Sequence, residues 1–259
     1  VVEGLLLAAG PSLLDRVATR RAGGPSAGSL GLFPRPLAQR APAPRDPALR
    51  PVALLEAGLL ERLARADRDW IPRAEPLPDG GTRYLYKRRP GDPELTIPEI
   101  QALIARPPSH AAEQATIVEL LQLLDQAGAS LQLSEPLRAG AAGEWAAGER
   151  LMRIRPDVIG KGSLEFARVL NHEAVHVAQS CHAGGLGANP RLLGLGGGGL
   201  DSAASRQAQA APLQDPVYAA ISPAERRMED EAYALQDDLD SGKALIRRHC
   251  LADRSGSGG

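Results

Sequence analysis

The sequence predicts an α+β domain, and three observations carry that prediction. Residues 110–128 and 163–180 repeat apolar side chains at helical spacing. The stretches SLQLSE (130–135) and LMRI (151–154) read as short strands of a small sheet. Helices followed by strands, with no internal repeat, suggest α+β organisation. At 259 residues, 43% of them hydrophobic, the chain can bury a sizeable core, and its two cysteines cannot frame a disulfide scaffold.

The elements follow in order. Residues 1–50 read as an N-terminal apolar helix and then a flexible arm, where Pro and Gly recur too often from residue 23 onward for regular structure. Residues 51–108 read as one amphipathic helix opened by Pro51, with Leu54, Leu55, Leu59 and Leu63 at helical spacing. A short strand within 80–89 follows the double glycine, and a helix over 97–105 starts at Thr96 and Pro98. How this part attaches is left open. Residues 109–250 form the main domain: a helix stopped by Gly128, the small sheet, the helix over 163–180, a glycine-rich loop, and a helix that starts at Ser222-Pro223 and breaks at Gly242. Residues 251–259 read as a disordered tail.

Thirty Lys+Arg against 31 Asp+Glu leave a formal charge of -1, so no global basic field exists to hold nucleic acid or an anionic membrane. The apolar run over 1–14 is interrupted by Glu3, Gly10, Pro11 and Ser12 and is too short for a membrane span. It also lacks the basic residues that precede the apolar run of a signal peptide. The expected location is cytoplasmic, with secreted or periplasmic as the alternatives.

Chemistry concentrates in VLNHEAVHVA (169–178). His172 and His176 are four residues apart and project from one helix face, one turn above the other, so two imidazoles can bind one ion. Glu173 sits at the edge of that face, where a carboxylate can polarise a water without ligating the ion. This is the HExxH pattern. Val169, Leu170, Ala174, Val175, Val177 and Ala178 are all apolar, as a metal helix buried through a domain's centre requires. A solvated helix that merely exposes two histidines and a glutamate needs no such flanks.

A catalytic zinc needs a third protein ligand. His182 stands where the last histidine of HExxHxxGxxH would be, but Gln179 replaces the glycine that turns the chain out of the helix. The late helix RRMEDEAYALQ (226–236) offers Glu229 and Glu231, which point roughly 200° apart, so one of the two can face an ion. An acidic solvated face is its plainer reading.

On these two segments, 169–178 and 228–232, the chain resembles the HExxH zinc metallopeptidases of the gluzincin type, as a small bacterial member. The resemblance implies a zincin-like domain with a small sheet, an HExxH helix and a glutamate helix. By the ExEA-type pattern it implies His172, His176 and Glu229 as zinc ligands, with His182 and Glu231 as alternatives to Glu229. It further implies hydrolysis of a peptide or protein substrate, with Glu173 as general base. Related families often carry Asp or Asn four residues after the third ligand to orient a histidine, and here Tyr233 stands in that place. The edge strand that binds extended substrate would be residues 151–155. Tyr218, Tyr233, His182 and His249 are the candidate transition-state donors, and Tyr218, just ahead of the glutamate helix, is the one singled out. The alternative is a catalytically silent zincin fold acting as a metal-binding or protein-interaction module.

Cys181-His182 and His249-Cys250 admit three readings: a Cys2His2 zinc site, one disulfide, or two unlinked thiols.

Overall fold

The computed structural model describes residues 48–89, 92–195 and 222–252. The predicted N-terminal helix, most of the arm, Tyr218, the glycines at 196–199 and the tail from residue 253 lie outside them. The described residues form an α+β arrangement in which helices pack around a three-stranded sheet.

The single helix expected after Pro51 is two, α1 (Pro51–Glu56) and α2 (Leu59–Asp69). The break is at Gly58, whose φ of +76° is left-handed and ends a helix. Leu54, Leu59 and Leu63 from this pair enter the core. The strand expected within 80–89 is β2 (Thr82–Leu85), paired antiparallel with β1 (Arg73–Pro76). Thr96 and Glu99 close a capping box on α3 (Ile97–Ala105), and α4 (Ala111–Ala127) stops at Gly128.

Three strands make the central sheet, in the order β3 (Ser130–Leu133), β5 (Leu151–Ile154), β4 (Gly143–Ala146). β3 runs parallel to β5 and β4 antiparallel to it. All four residues of β5 are buried, as a strand flanked on both sides requires. The outer edge of β3 is met by Leu49, which forms a β-bridge with Leu131, so the last residues of the expected arm dock on the sheet.

α5 (Ser163–His182) lies through the centre of the core, packed against α4, β4, α6 (Pro223–Leu235) and α7 (Ser241–Ile246). The late helix does not run to Gly242. It ends at Leu235, and Gly242 is buried inside α7, where its N–H donates to Asn171 Oδ1 at 2.9 Å. The Asn171 amide in turn donates to the carbonyls of Leu235, Gln236 and Asp238, which turns the chain between the two helices. A π-helical turn, Arg247–Leu251, carries Cys250, and a Cys181–Cys250 disulfide joins it to the end of α5. Among the described residues, no helix is long and apolar enough to cross a membrane.

Candidate metal centre

The apolar positions of α5 predicted around the histidines are buried, Leu170, Ala174, Val175, Val177 and Ala178 completely. That burial fixes the rotation of the helix, and the remaining face turns His172 and His176 toward α6. The start of α5 has no capping side chain of its own. Asp67 of α2 supplies it, accepting from the Ser163 N–H and hydroxyl at 2.6 Å each.

Glu229 completes the group. Its Oε2 lies 3.2 Å from His172 Nε2 and 3.5 Å from His176 Nε2, and the two imidazole nitrogens are 3.2 Å apart. Bonds of about 2.0–2.2 Å at a tetrahedral angle would separate neighbouring ligand atoms by about 3.3–3.5 Å. The three donors therefore form one face of a tetrahedron of the size a divalent transition metal takes. Two imidazoles and a carboxylate suit zinc and equally other first-row ions.

A glutamine stands beside each imidazole. His176 Nδ1 meets Gln179 Oε1 at 2.9 Å, one turn further along α5. The Gln179 amide nitrogen donates to the Met228 carbonyl at 3.2 Å and to Glu231 Oε2 at 3.0 Å, so the amide oxygen must face the ring. His176 Nδ1 then carries a proton, which leaves Nε2 as the nitrogen that faces Glu229 and would turn its lone pair to a bound ion. Gln236, at the end of α6, stands near the His172 ring and favours its protonated form slightly. Tyr233, in the place where Asp or Asn was expected, packs edge-on against His172 with ring centroids 4.7 Å apart.

Electrostatics follow from burial. Burial lowers His172 despite its hydrogen bond with Glu229. It acts the same way on His176, but there the Glu229 hydrogen bond and charge prevail and raise the ring to about 9. Burial would raise the Glu229 carboxyl, and the two imidazoles overcome it and hold the group well below the usual carboxylate range. Glu173 is pushed up to about 8, first by burial and then against the pull of His176.

Glu173 Oε2 is buried with no hydrogen-bond partner, beside the three converging donors. A polar group left in that state is costly unless something else meets it, which fits an ion carrying a water. Glu173 also explains Gly143 on β4. A Cβ there would stand 2.6 Å from Glu173 Oε1 and 2.9 Å from Val169 Cγ1, so only glycine lets the strand approach α5 this closely.

Two cavities flank the group. One, of about 220 Å³, is lined by Arg138, Trp145, Glu173, Glu225, Met228 and Glu229 among others. The second, of about 210 Å³, lies toward Val169, Arg168, Tyr233 and Gln236, and shares Gly143, His172 and Glu173 with the first. Arg138 Nη1 donates to Glu229 Oε1 at 3.1 Å.

The structure thus brings His172, Glu173, His176 and Glu229 together. It places the alternatives elsewhere. Glu231 Oε1 and Oε2 accept the N–H groups of Leu193, Gly194 and Leu195 at 2.9 to 3.2 Å. His182 lies edge-on to His249, with ring centroids 5.2 Å apart, beside the disulfide. The edge strand is a correction: residues 151–154 are β5, the centre of the sheet, and the strand that lines the cleft is β4. Gln179, Gln236, Gly143 and Arg138 were not singled out as site residues from sequence. Only Gln179 had a legible signal, three residues after His176 on the same helix face.

A family model described as Domain of unknown function (DUF8637) matches residues 150–251, a span that holds both histidines, Glu173 and Glu229 but neither Arg138 nor Gly143. No curated protein and no solved structure matches the chain.

Proposed function

We propose that this chain is a zinc-dependent peptidase of zincin-like, gluzincin-type organisation, with His172, His176 and Glu229 holding the ion. The observation that carries the reading is the triangle of 3.2, 3.2 and 3.5 Å between the three donor atoms, set beside a buried carboxyl oxygen that nothing else engages.

Zinc, when bound, supplies Lewis acidity that activates a water and polarises the scissile carbonyl. The chain's own groups do the rest. Glu173 accepts the proton of the attacking water as the water oxygen bonds to the carbonyl carbon. It then delivers that proton to the leaving nitrogen as the C–N bond breaks, so atoms and charge balance. A carboxyl raised by burial suits both halves of this transfer. Gln179 keeps the His176 imidazole turned toward the ion. β4, antiparallel at the sheet edge that borders the cleft, offers backbone for an extended peptide.

The test measures zinc per chain and cleavage of a broad peptide library for wild type and Glu173→Gln. Stoichiometric zinc in both, with cleavage in wild type alone, is the expected result. Zinc in both with equal inactivity leaves a silent metal-binding module, and absence of zinc after reloading removes the metal altogether.

A further inference from the structure

The helices fix the order of the two cavities. α5 and α6 run antiparallel, tied by Gln179 Nε2 to the Met228 carbonyl at 3.2 Å, by Asn171 Nδ2 to the Leu235 carbonyl at 2.8 Å, and by Arg168 to Asp237, just past α6, at 2.5 Å. The first cavity takes His176 from α5 and Glu225 and Met228 from the start of α6. The second takes Glu165 and Val169 from earlier in α5, and Tyr233 and Gln236 from around the end of α6. His172 and Glu173 line both. The cavities therefore lie on opposite sides of the donors along one groove, and neither is closed off from solvent.

Helical rise gives the length of that groove. From Glu165 to His176 on α5, and from Glu225 to Gln236 on α6, the axis advances about 16 Å. An extended chain advances about 3.3 Å per residue, so about five residues of substrate fit alongside. Glu229 stands about 6 Å along the axis from Glu225 and about 10 Å from Gln236, which leaves room for about two residues on one side of the reacting bond and three on the other. At about 220 and 210 Å³, each cavity is smaller than the roughly 300 Å³ at which a pocket encloses a whole small ligand, so a substrate has to use both.

The charges along the groove already have partners in the protein. Glu144 accepts the Leu137 N–H at 2.8 Å and pairs with buried Arg153 at 3.5 Å, and Glu225 closes the capping box with Ser222. Arg138 is paired with Glu229 at 3.1 Å, and Glu165 with Arg168 at 3.4 Å. A chain end brings a full charge that needs an opposite one, whereas an internal stretch brings neutral amides.

Resting on the peptidase reading above, we infer that the substrate is an internal stretch of an extended polypeptide, so that the site is an endopeptidase's and reads about five residues across the two cavities. Neither chain end is recognised.

A library of dodecapeptides with acetylated and amidated ends, and the same library with both ends free, are incubated with the zinc-loaded full-length protein, and mass spectrometry reads the products. Blocked and free forms should be cut at the same internal bonds, with kcat/KM equal within ~3-fold. Shortening the best blocked peptide should lower kcat/KM at least ~10-fold once fewer than about two residues remain on one side of the cut or three on the other. Cleavage confined to free-ended peptides overturns the inference, as does a rate that depends on residues on one side of the cut alone. Cleavage that survives Glu173→Gln also overturns it, because it is not made at this centre. If the zinc-loaded protein cuts neither library, the peptidase reading itself has failed, and zinc analysis of the same samples identifies that case.

Discussion

Glu229 and Glu231 stand two residues apart on α6, exposed to 9% and 7%, and their surroundings differ in kind. The side of α6 that faces α5 gives Glu229 two imidazole nitrogens as neighbours. Further round α6, Glu231 meets three backbone N–H groups from residues 193–195 and the amide of Gln179 near the end of α5. A buried carboxylate needs donors in either case. Imidazoles can give up a proton and turn a lone pair to a cation, so the Glu229 environment converts to an ion site without orphaning any group. Backbone N–H groups cannot, and a cation beside Glu231 would face hydrogens. The identity of the donors, and not burial, separates the proposed ligand from a strut.

The comparison is broken most severely by Glu229→Ala, which should abolish zinc binding, a loss beyond the ~10–100-fold expected of residues that only orient ligands. Competition against a chromophoric chelator measures it, and retained stoichiometric zinc would contradict the assignment. Glu231→Ala should act on the fold instead. It takes the acceptor from three part-buried N–H groups and from the Gln179 amide and should cost ~1–3 kcal/mol in chelator-treated protein, read by urea denaturation. Gln179→Ala links the two environments, because it removes a partner from both the His176 ring and Glu231, and should weaken zinc binding ~10–100-fold.

The gentlest probe is pH. His176 is raised to about 9, so its ion pair with Glu229 stabilises the metal-free fold fully below the ordinary histidine value and is lost as pH climbs through about 9. Glu173, raised to about 8, works in the same direction, since its buried carboxyl resists ionising as pH rises from the ordinary carboxylate range. The melting temperature of chelator-treated protein should therefore fall between pH 7 and 9. Zinc must displace the His176 proton, so its affinity should rise up to ~10-fold per pH unit over that range. A flat profile in both measurements would show that the imidazole is already neutral.

Legibility in the sequence followed how local each signal was. The face shared by His172, Glu173 and His176, and its apolar flanks, depend only on helical period. The resemblance picked Glu229 over Glu231, whereas the helix pitch alone said only that the two could not share a face. The break at Gly58 was hidden because a left-handed glycine inside a helical pattern looks like any tolerated glycine. The place of β5 at the centre of the sheet could not be read, since strand order is set by partners far apart in the chain, and residues 151–154 are apolar enough for either place. Arg138 and Gln236 owe their roles to the docking of a loop and a helix end against α5, which no spacing encodes.

The bridge between Cys181 and Cys250 spans 69 positions, and α6 with Glu229 lies inside that interval. The third donor therefore belongs to a covalent ring whose two ends meet at the foot of the helix bearing the histidines. A single backbone cut between residues 195 and 222 would give a two-chain protein in which all three donors stay in one molecule, parted only when the sulfur bridge is reduced.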